Sequence, residues 1–180
     1  MKQGISIILF IAMLFSFTAC MSPEYAHLKK GDEYSDKQKW TEAIAEYTQS
    51  IEAAPKLAQA YNNRAAAYTE KGEYDKAIAD CTQAIEIDQK STIPYYNRSV
   101  AYLYNQEFEK TIADCEKILE LGLNSPWVYY HRGMAYFGLA DYESAISDFM
   151  RAKRISNSSQ FNTVVDQKIR DAETLMDKRK

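Results

Sequence analysis

Reactive side chains are scarce in this chain. Its 180 residues include 2 histidines and 3 cysteines, and the sequence holds no glycine-rich phosphate loop, no paired metal-ligand spacing and no nucleophile beside a base. These absences argue against an enzyme and against any metal or other cofactor. One sign of charge does not dominate either: 22 Lys and Arg stand against 25 Asp and Glu, a net charge of −3 with the signs interspersed. A nucleic-acid binder normally shows a basic face or stripe, so no nucleic-acid partner is expected. The basic run at 178–180 reads as a solvated tail. With 46% hydrophobic and 26% charged residues, the chain also lacks the polarity of a disordered segment and suffices for one buried domain.

What the chain does have is repetition. Tyr61 to Asp88 reads YNNRAAAYTEKGEYDKAIADCTQAIEID, and a shift of 34 residues returns it twice, as YYNRSVAYLYNQEFEKTIADCEKILELG and YYHRGMAYFGLADYESAISDFMRAKRIS. The opposite shift gives a fainter copy, His27 to Ala54. The register holds over 24–57, 58–91, 92–125 and 126–159, about three quarters of the chain. Each period splits into two helical patterns with a turn near its fifteenth place, at Gly72, Gln106 and Ala140. Tyr stands at the eleventh place every time (Tyr34, Tyr68, Tyr102, Tyr136), and small residues stand at the eighth (Gly31, Ala65, Ser99, Gly133). Small residues let two helices approach closely while bulky ones fill the grooves beside the crossing. A stacked array of helix hairpins follows.

Such a stack leaves an apolar face open at each end unless it is capped. Phe161, Val165, Ile169, Ala172 and Met176 recur at helical spacing, so 160–177 is expected to be a capping helix. Cys81 and Cys115 hold equivalent places in adjacent repeats, about 8–10 Å apart at one helix spacing. A disulfide needs roughly 7 Å or less, so both are expected to be buried core thiols. Arg64 with Asp80, Arg98 with Asp114 and Arg132 with Asp148 share one offset, and Lys30 with Glu46 is the counterpart. An identical spacing in every repeat predicts an internal helix-to-helix bridge, a structural device rather than a site. His27 and His131 fall in repeats too far apart to share a metal.

These residues resemble the tetratricopeptide repeat family, a 34-residue helix-turn-helix with a large residue at place 4, small at 8, Tyr at 11, Ala at 20, aromatic at 24 and Ala at 27. Tyr61, Ala65, Tyr68, Ala77 and Ala84 match in the second repeat, and Tyr129, Gly133, Tyr136, Ala145, Phe149 and Ala152 in the fourth. Cys81 and Cys115 depart from the aromatic place, and His27 from the first large one. The resemblance implies an all-α, right-handed superhelical solenoid of four repeats with the C-terminal helix as cap. It also implies a concave groove lined by places 2, 5, 6, 9, 12 and 13 of each first helix.

Carried over, those places give a graded surface. The first repeat offers Tyr25, Leu28, Lys29, Asp32, Ser35 and Asp36, and the second Gln59, Asn62, Asn63, Ala66, Thr69 and Glu70, which are mostly polar. The third offers Ile93, Tyr96, Asn97, Val100, Leu103 and Tyr104, and the fourth Trp127, Tyr130, His131, Met134, Phe137 and Gly138, which are largely aromatic and aliphatic. Exposed aromatic patches mark interaction sites. The expected partner-binding set is therefore Asn63, Ile93, Tyr96, Asn97, Val100, Tyr104, Trp127, Tyr130, His131 and Met134. Asn63 and Asn97 stand where family members use an amide to hold a peptide backbone. The alternatives are that the capping helix covers Trp127, Met134 and Phe137, or that the patch pairs two copies of the chain. Family members that clamp chaperone carboxylates use Lys, Asn and Arg at places where this chain has Leu28, Asp32, Asn63, Ile93 and Asn97, so only Asn63 matches.

The long apolar run of the sequence, Gly4 to Phe17, follows Lys2 and precedes Thr18, Ala19 and Cys20. This is the pattern of a secretory leader over 1–19, too short to span a membrane as a helix. The segment Phe17-Thr18-Ala19-Cys20 resembles the processing site of bacterial lipoproteins, with Phe17 where Leu is usual. The resemblance implies that Cys20 is acylated and anchors an exported protein, and Met21 after it implies the outer membrane, facing the periplasm, in a two-membrane cell. An ordinary cleaved leader or an uncleaved anchor are the alternatives. Residues 20–23 would then be lipid attachment and tether, at most about 10 Å long between membrane and first repeat.

Overall fold

The structure, a computed structural model, describes residues 22–178. The leader 1–19, Cys20, Met21 and the last two residues of the basic tail lie outside the described residues. Among the described residues the chain forms nine α-helices and no strand. They are α1 (Pro23–Asp36), α2 (Trp40–Ala53), α3 (Ala58–Glu70), α4 (Tyr74–Ile87), α5 (Thr92–Tyr104), α6 (Phe108–Glu120), α7 (Pro126–Gly138), α8 (Tyr142–Ile155) and α9 (Ser159–Asp177). Each packs on its neighbour in sequence, and α1, α3, α5 and α7 also touch one another in turn along one side. The result is an all-α solenoid of four hairpins closed by α9, whose observed span agrees with the expected cap to within one residue.

The turn inside each hairpin is built the same way four times. Place 15 takes a left-handed backbone, with φ of 56° at Gln38, 74° at Gly72, 60° at Gln106 and 60° at Ala140. The next N–H, that of Lys39, Glu73, Glu107 or Asp141, then donates to the carbonyl of the place-11 tyrosine at 2.9 Å. This caps the otherwise unsatisfied helix end. Only Gly72 adopts this backbone without the clash that a Cβ brings.

Close approach at places 8 and 24 explains the cysteines. A Cβ on Gly31 would lie 2.4 Å from the Tyr47 ring, and one on Gly133 would lie 2.8 Å from the Phe149 ring. Repeats with an aromatic at place 24 thus need glycine at place 8. Where place 8 carries a side chain, as in Ala65 and Ser99, place 24 shrinks to Cys81 and Cys115, and all four are buried. Interiors are close-packed, so the volume is shared between the two helices. Both thiols are free, and burial pushes each up to about 12, so they are inert packing residues.

The Arg–Asp pairs form as expected. Arg64 Nε and Nη2 donate to Asp80 at 2.7 and 2.8 Å, Arg98 to Asp114 at 2.8 and 2.8 Å, and Arg132 to Asp148 at 2.7 and 2.8 Å. Lys30 and Glu46 supply the first repeat's version at 2.5 Å. The sequence did not disclose two further supports. Arg64 and Arg98 also donate through Nη1 to Thr48 and Thr82 of the preceding repeat, each at 3.0 Å. Arg64 and Arg98 further lie near two tyrosines of their own helices, Arg98 at 5.7 Å from the centroids of both Tyr95 and Tyr102, and Arg132 lies near one, Tyr129.

Two outcomes test this packing. Cys115→Phe alone should destabilise by about 2 kcal/mol through overpacking against Ser99, and Ser99→Gly in the same chain should recover most of that loss. Equal urea midpoints for the single and double variants would contradict the shared volume. Gln106→Gly should raise stability by up to about 1 kcal/mol, because the residue already holds a left-handed backbone; a lower melting temperature would contradict the strain.

Candidate protein-binding groove

The arginine at place 7 faces the second helix of its hairpin. With 3.6 residues per turn, places 2, 5, 9 and 12 fall on the opposite side of the first helix. The bridge therefore orients the concave face. Neighbouring first helices meet there through polar contacts at the N-terminal end: Asn63 Nδ2 donates to Asp32 Oδ1 at 2.8 Å, and Asn97 Nδ2 donates to Asn62 Oδ1 at 2.9 Å. Tyr47 OH also donates to Asp32 Oδ1 at 2.8 Å. The two asparagines thus each commit an amide hydrogen to a neighbouring repeat and keep a carbonyl oxygen for other use.

Toward the C-terminus the face turns aromatic. Ile93 is 60% exposed, Tyr104 61% and Trp127 48%, while Tyr96, Asn97, Val100, Tyr130, His131 and Met134 are half-buried. Tyr96, Asn97, Val100, Trp127 and His131 join Ala66, Thr69 and Glu70 around a cavity of about 310 Å³. Tyr104 stacks on Tyr74 with centroids 5.7 Å apart and planes 13° apart, a partner from the second helix of the preceding repeat.

The cap intervenes at the fourth repeat. Phe161 of α9 meets Trp127 at 4.6 Å and Tyr130 at 5.7 Å, both edge-on. Tyr130, Met134 and Phe137 pack against the cluster of Phe149, Phe161 and Val165. The structure therefore divides the expected set: Tyr130 and Met134 serve the cap in large part, while Trp127 stays half open beside it. Asn63 and Ile93 fall instead along a second depression with Gln59, Asn62 and Asp88.

His131 is ringed by Tyr96, Trp127 and Tyr130 at centroid distances of 5.2, 6.2 and 5.9 Å. Its Nδ1 is enclosed and has no hydrogen-bond partner among the described residues. Burial pushes the imidazole down to about 4, so the ring is neutral at physiological pH. Among the described residues no group of three or more His, Cys, Asp or Glu side chains is arranged to hold a metal. No helix among them is long and apolar enough to cross a membrane.

Comparison with known proteins accords with this geometry. Tetratricopeptide repeat family models match residues 58–91 and 128–159, and a further model described as TPR repeat matches 31–70, about half the chain together. The chain belongs to the tetratricopeptide repeat family, whose members are generally interaction modules rather than enzymes. No curated protein matches the sequence. Among solved structures it is similar to the first repeat domain of Spaghetti (RPAP3) bound to the HSP90 peptide SRMEEVD, at 29% identity and TM-score 0.64, over 66% of this chain and 94% of that one. The second repeat domain of human RPAP3 with the HSP70 peptide SGPTIEEVD gives 25% and 0.59, over 62% and 97%. The MamA protein shares the fold over 87% of this chain and 89% of its own, at TM-score 0.70 and 18% identity.

The neutral histidine has a measurable consequence. Its folded pKa lies below that of the unfolded chain, about 6.5, so its share of stability is intact above that pH. It is lost as the pH falls toward 4, where the unfolded chain binds a proton that the fold excludes. His131→Phe should remove about 2 kcal/mol of the stability change between pH 6.5 and pH 4, read by urea denaturation. An unchanged pH profile would contradict the burial of a neutral ring.

Proposed function

We propose that this chain is an adaptor that holds a segment of a partner protein in its concave groove, and that it does so outside the cytoplasm, anchored to a membrane through acylated Cys20. The observation that carries the groove is the half-open aromatic pocket of Tyr96, Val100 and Trp127, on a face that no element among the described residues fills. Apolar and aromatic surface of this kind, rimmed by polar groups, is where a few anchor residues dominate binding energy. Support comes also from the RPAP3 domains solved with bound peptides. The chaperone-clamp pattern does not carry over. Leu28 is buried at 4% exposure, Asp32 is engaged by Tyr47 and Asn63, and Ile93 offers no charge. The partner is accordingly an envelope protein, such as an assembly or wall-processing factor, rather than a chaperone tail.

The location rests on the sequence: an apolar leader over 1–19, a small residue before Cys20 and a tether of two residues, Met21 and Ser22, before α1. Two acyl chains anchor a protein stably where one is marginal. A bacterial envelope lipoprotein, on the outer membrane of a two-membrane cell, is the reading these features favour.

Tyr96→Ala or Trp127→Ala should each cost about 2 kcal/mol of affinity for the captured partner with little loss of fold stability. Undiminished affinity in both would remove the groove from the account. Light scattering should give a monomer; a dimer dissociated by Trp127→Ala would transfer the patch to self-association. Growth with a clickable fatty acid should label the wild-type protein and not Cys20→Ala, which should leave the membrane fraction. An unlabelled wild-type protein would overturn the anchor.

A further inference from the structure

The pocket between α3, α5 and α7 has a chemical bias beyond its apolar walls, because its one charged side chain is an acid and its walls are aromatic. Thr69 Oγ1 donates to the Ala65 carbonyl at 3.1 Å, which leaves its lone pairs as what it can offer. Asn97 donates one amide hydrogen to Asn62 and retains the other together with its carbonyl oxygen. Glu70 can only accept, is exposed, and among the described residues is held by no ion pair. Among the described residues no lysine or arginine lines the cavity, and Tyr96 and Trp127 present aromatic rings. His131 adds no positive charge, since its buried ring is neutral. The cavity thus offers one carboxylate, two neutral acceptors and aromatic walls with no positive charge beside them, a setting that attracts cations.

Resting on the groove reading above, we propose that this pocket receives an arginine or lysine side chain of the partner segment, with its stem against Trp127 and Tyr96 and its charged head on Glu70. Asn97 Oδ1 and Thr69 Oγ1 accept the remaining hydrogens, which suits a guanidinium with its five donors. A purely apolar side chain would strip water from the Glu70 carboxylate and the Asn97 carbonyl and return nothing. An acidic one would meet Glu70 directly. The rest of the groove continues the preference, with Asp32 and Asp36 on α1 against one cation, Lys29. The occupant is thus a cationic segment with an aromatic or aliphatic neighbour, opposite in charge to the EEVD-ending peptides held by the RPAP3 domains.

The test pans the full-length protein in mild detergent, and separately its Glu70→Lys variant, against a randomised octapeptide library on phage. Enriched peptides are then titrated by fluorescence polarisation. The wild-type protein should enrich peptides with Arg or Lys beside an apolar residue. Replacing that cation by norleucine should weaken binding about tenfold, as should Glu70→Gln in the protein. The Glu70→Lys variant should lose the preference for cations while still taking apolar peptides. Enrichment of apolar or acidic peptides without a cation, or a cation preference indifferent to Glu70, would overturn the proposal and leave the groove reading standing. No enriched peptide from a chain with intact helical circular dichroism would overturn both.

Discussion

A guanidinium laid near a tyrosine ring and clasped by a carboxylate of the next helix is costly to take out of water. It persists only where its hydrogen bonds are met, as they are in the second, third and fourth repeats. What the bridge contributes is orientation. With place 7 held toward the second helix, the opposite side of the first helix is committed to the concave face, and every residue of the candidate site owes its position to that rotation. Thr48 and Thr82 extend the clasp to the preceding repeat, so the same arginine that closes a hairpin also sets how hairpins stack. For Arg132 of the fourth repeat the place of Thr82 is taken by Glu116 of the third, whose charge further favours the Arg132 cation.

The stack then makes a site that no single repeat contains. Glu70 ends α3, Tyr96 and Asn97 lie midway along α5, and Trp127 opens α7, yet all line one cavity. The cap has two effects on it. Phe161 closes the apolar end that a solenoid would otherwise expose, and it draws Tyr130 and Met134 away from the groove, leaving Trp127 as the half-open edge. Termination and recognition are therefore coupled: a change in α9 that frees Phe161 would also widen the binding face.

Much of the architecture was legible in the sequence because it repeats. Period, helix pairs, inert cysteines and Arg–Asp bridges each recur at a fixed offset, and the cap showed as an amphipathic run after the last period. The glycine and cysteine alternation could have been read too, since Gly31 and Gly133 accompany aromatics while Ala65 and Ser99 accompany Cys81 and Cys115. The site was less legible. Whether Tyr130 faces the groove or Phe161 turns on a rotation of a few tens of degrees, which periodicity does not resolve. The Asn63–Asp32 and Asn97–Asn62 bonds depend on the stagger between repeats. The pocket's union of Glu70 with Trp127 depends on how the second and fourth repeats converge across the third, which no local pattern encodes.

The claim that the concave face holds another protein is tested most directly by photo-crosslinking in the cell from a probe at position 96, read by mass spectrometry. The account predicts a discrete adduct with one envelope protein, through a cationic segment, and its loss when the probe is moved to the outer surface at Met150. An adduct with this chain itself, or none above the Met150 background, would contradict it.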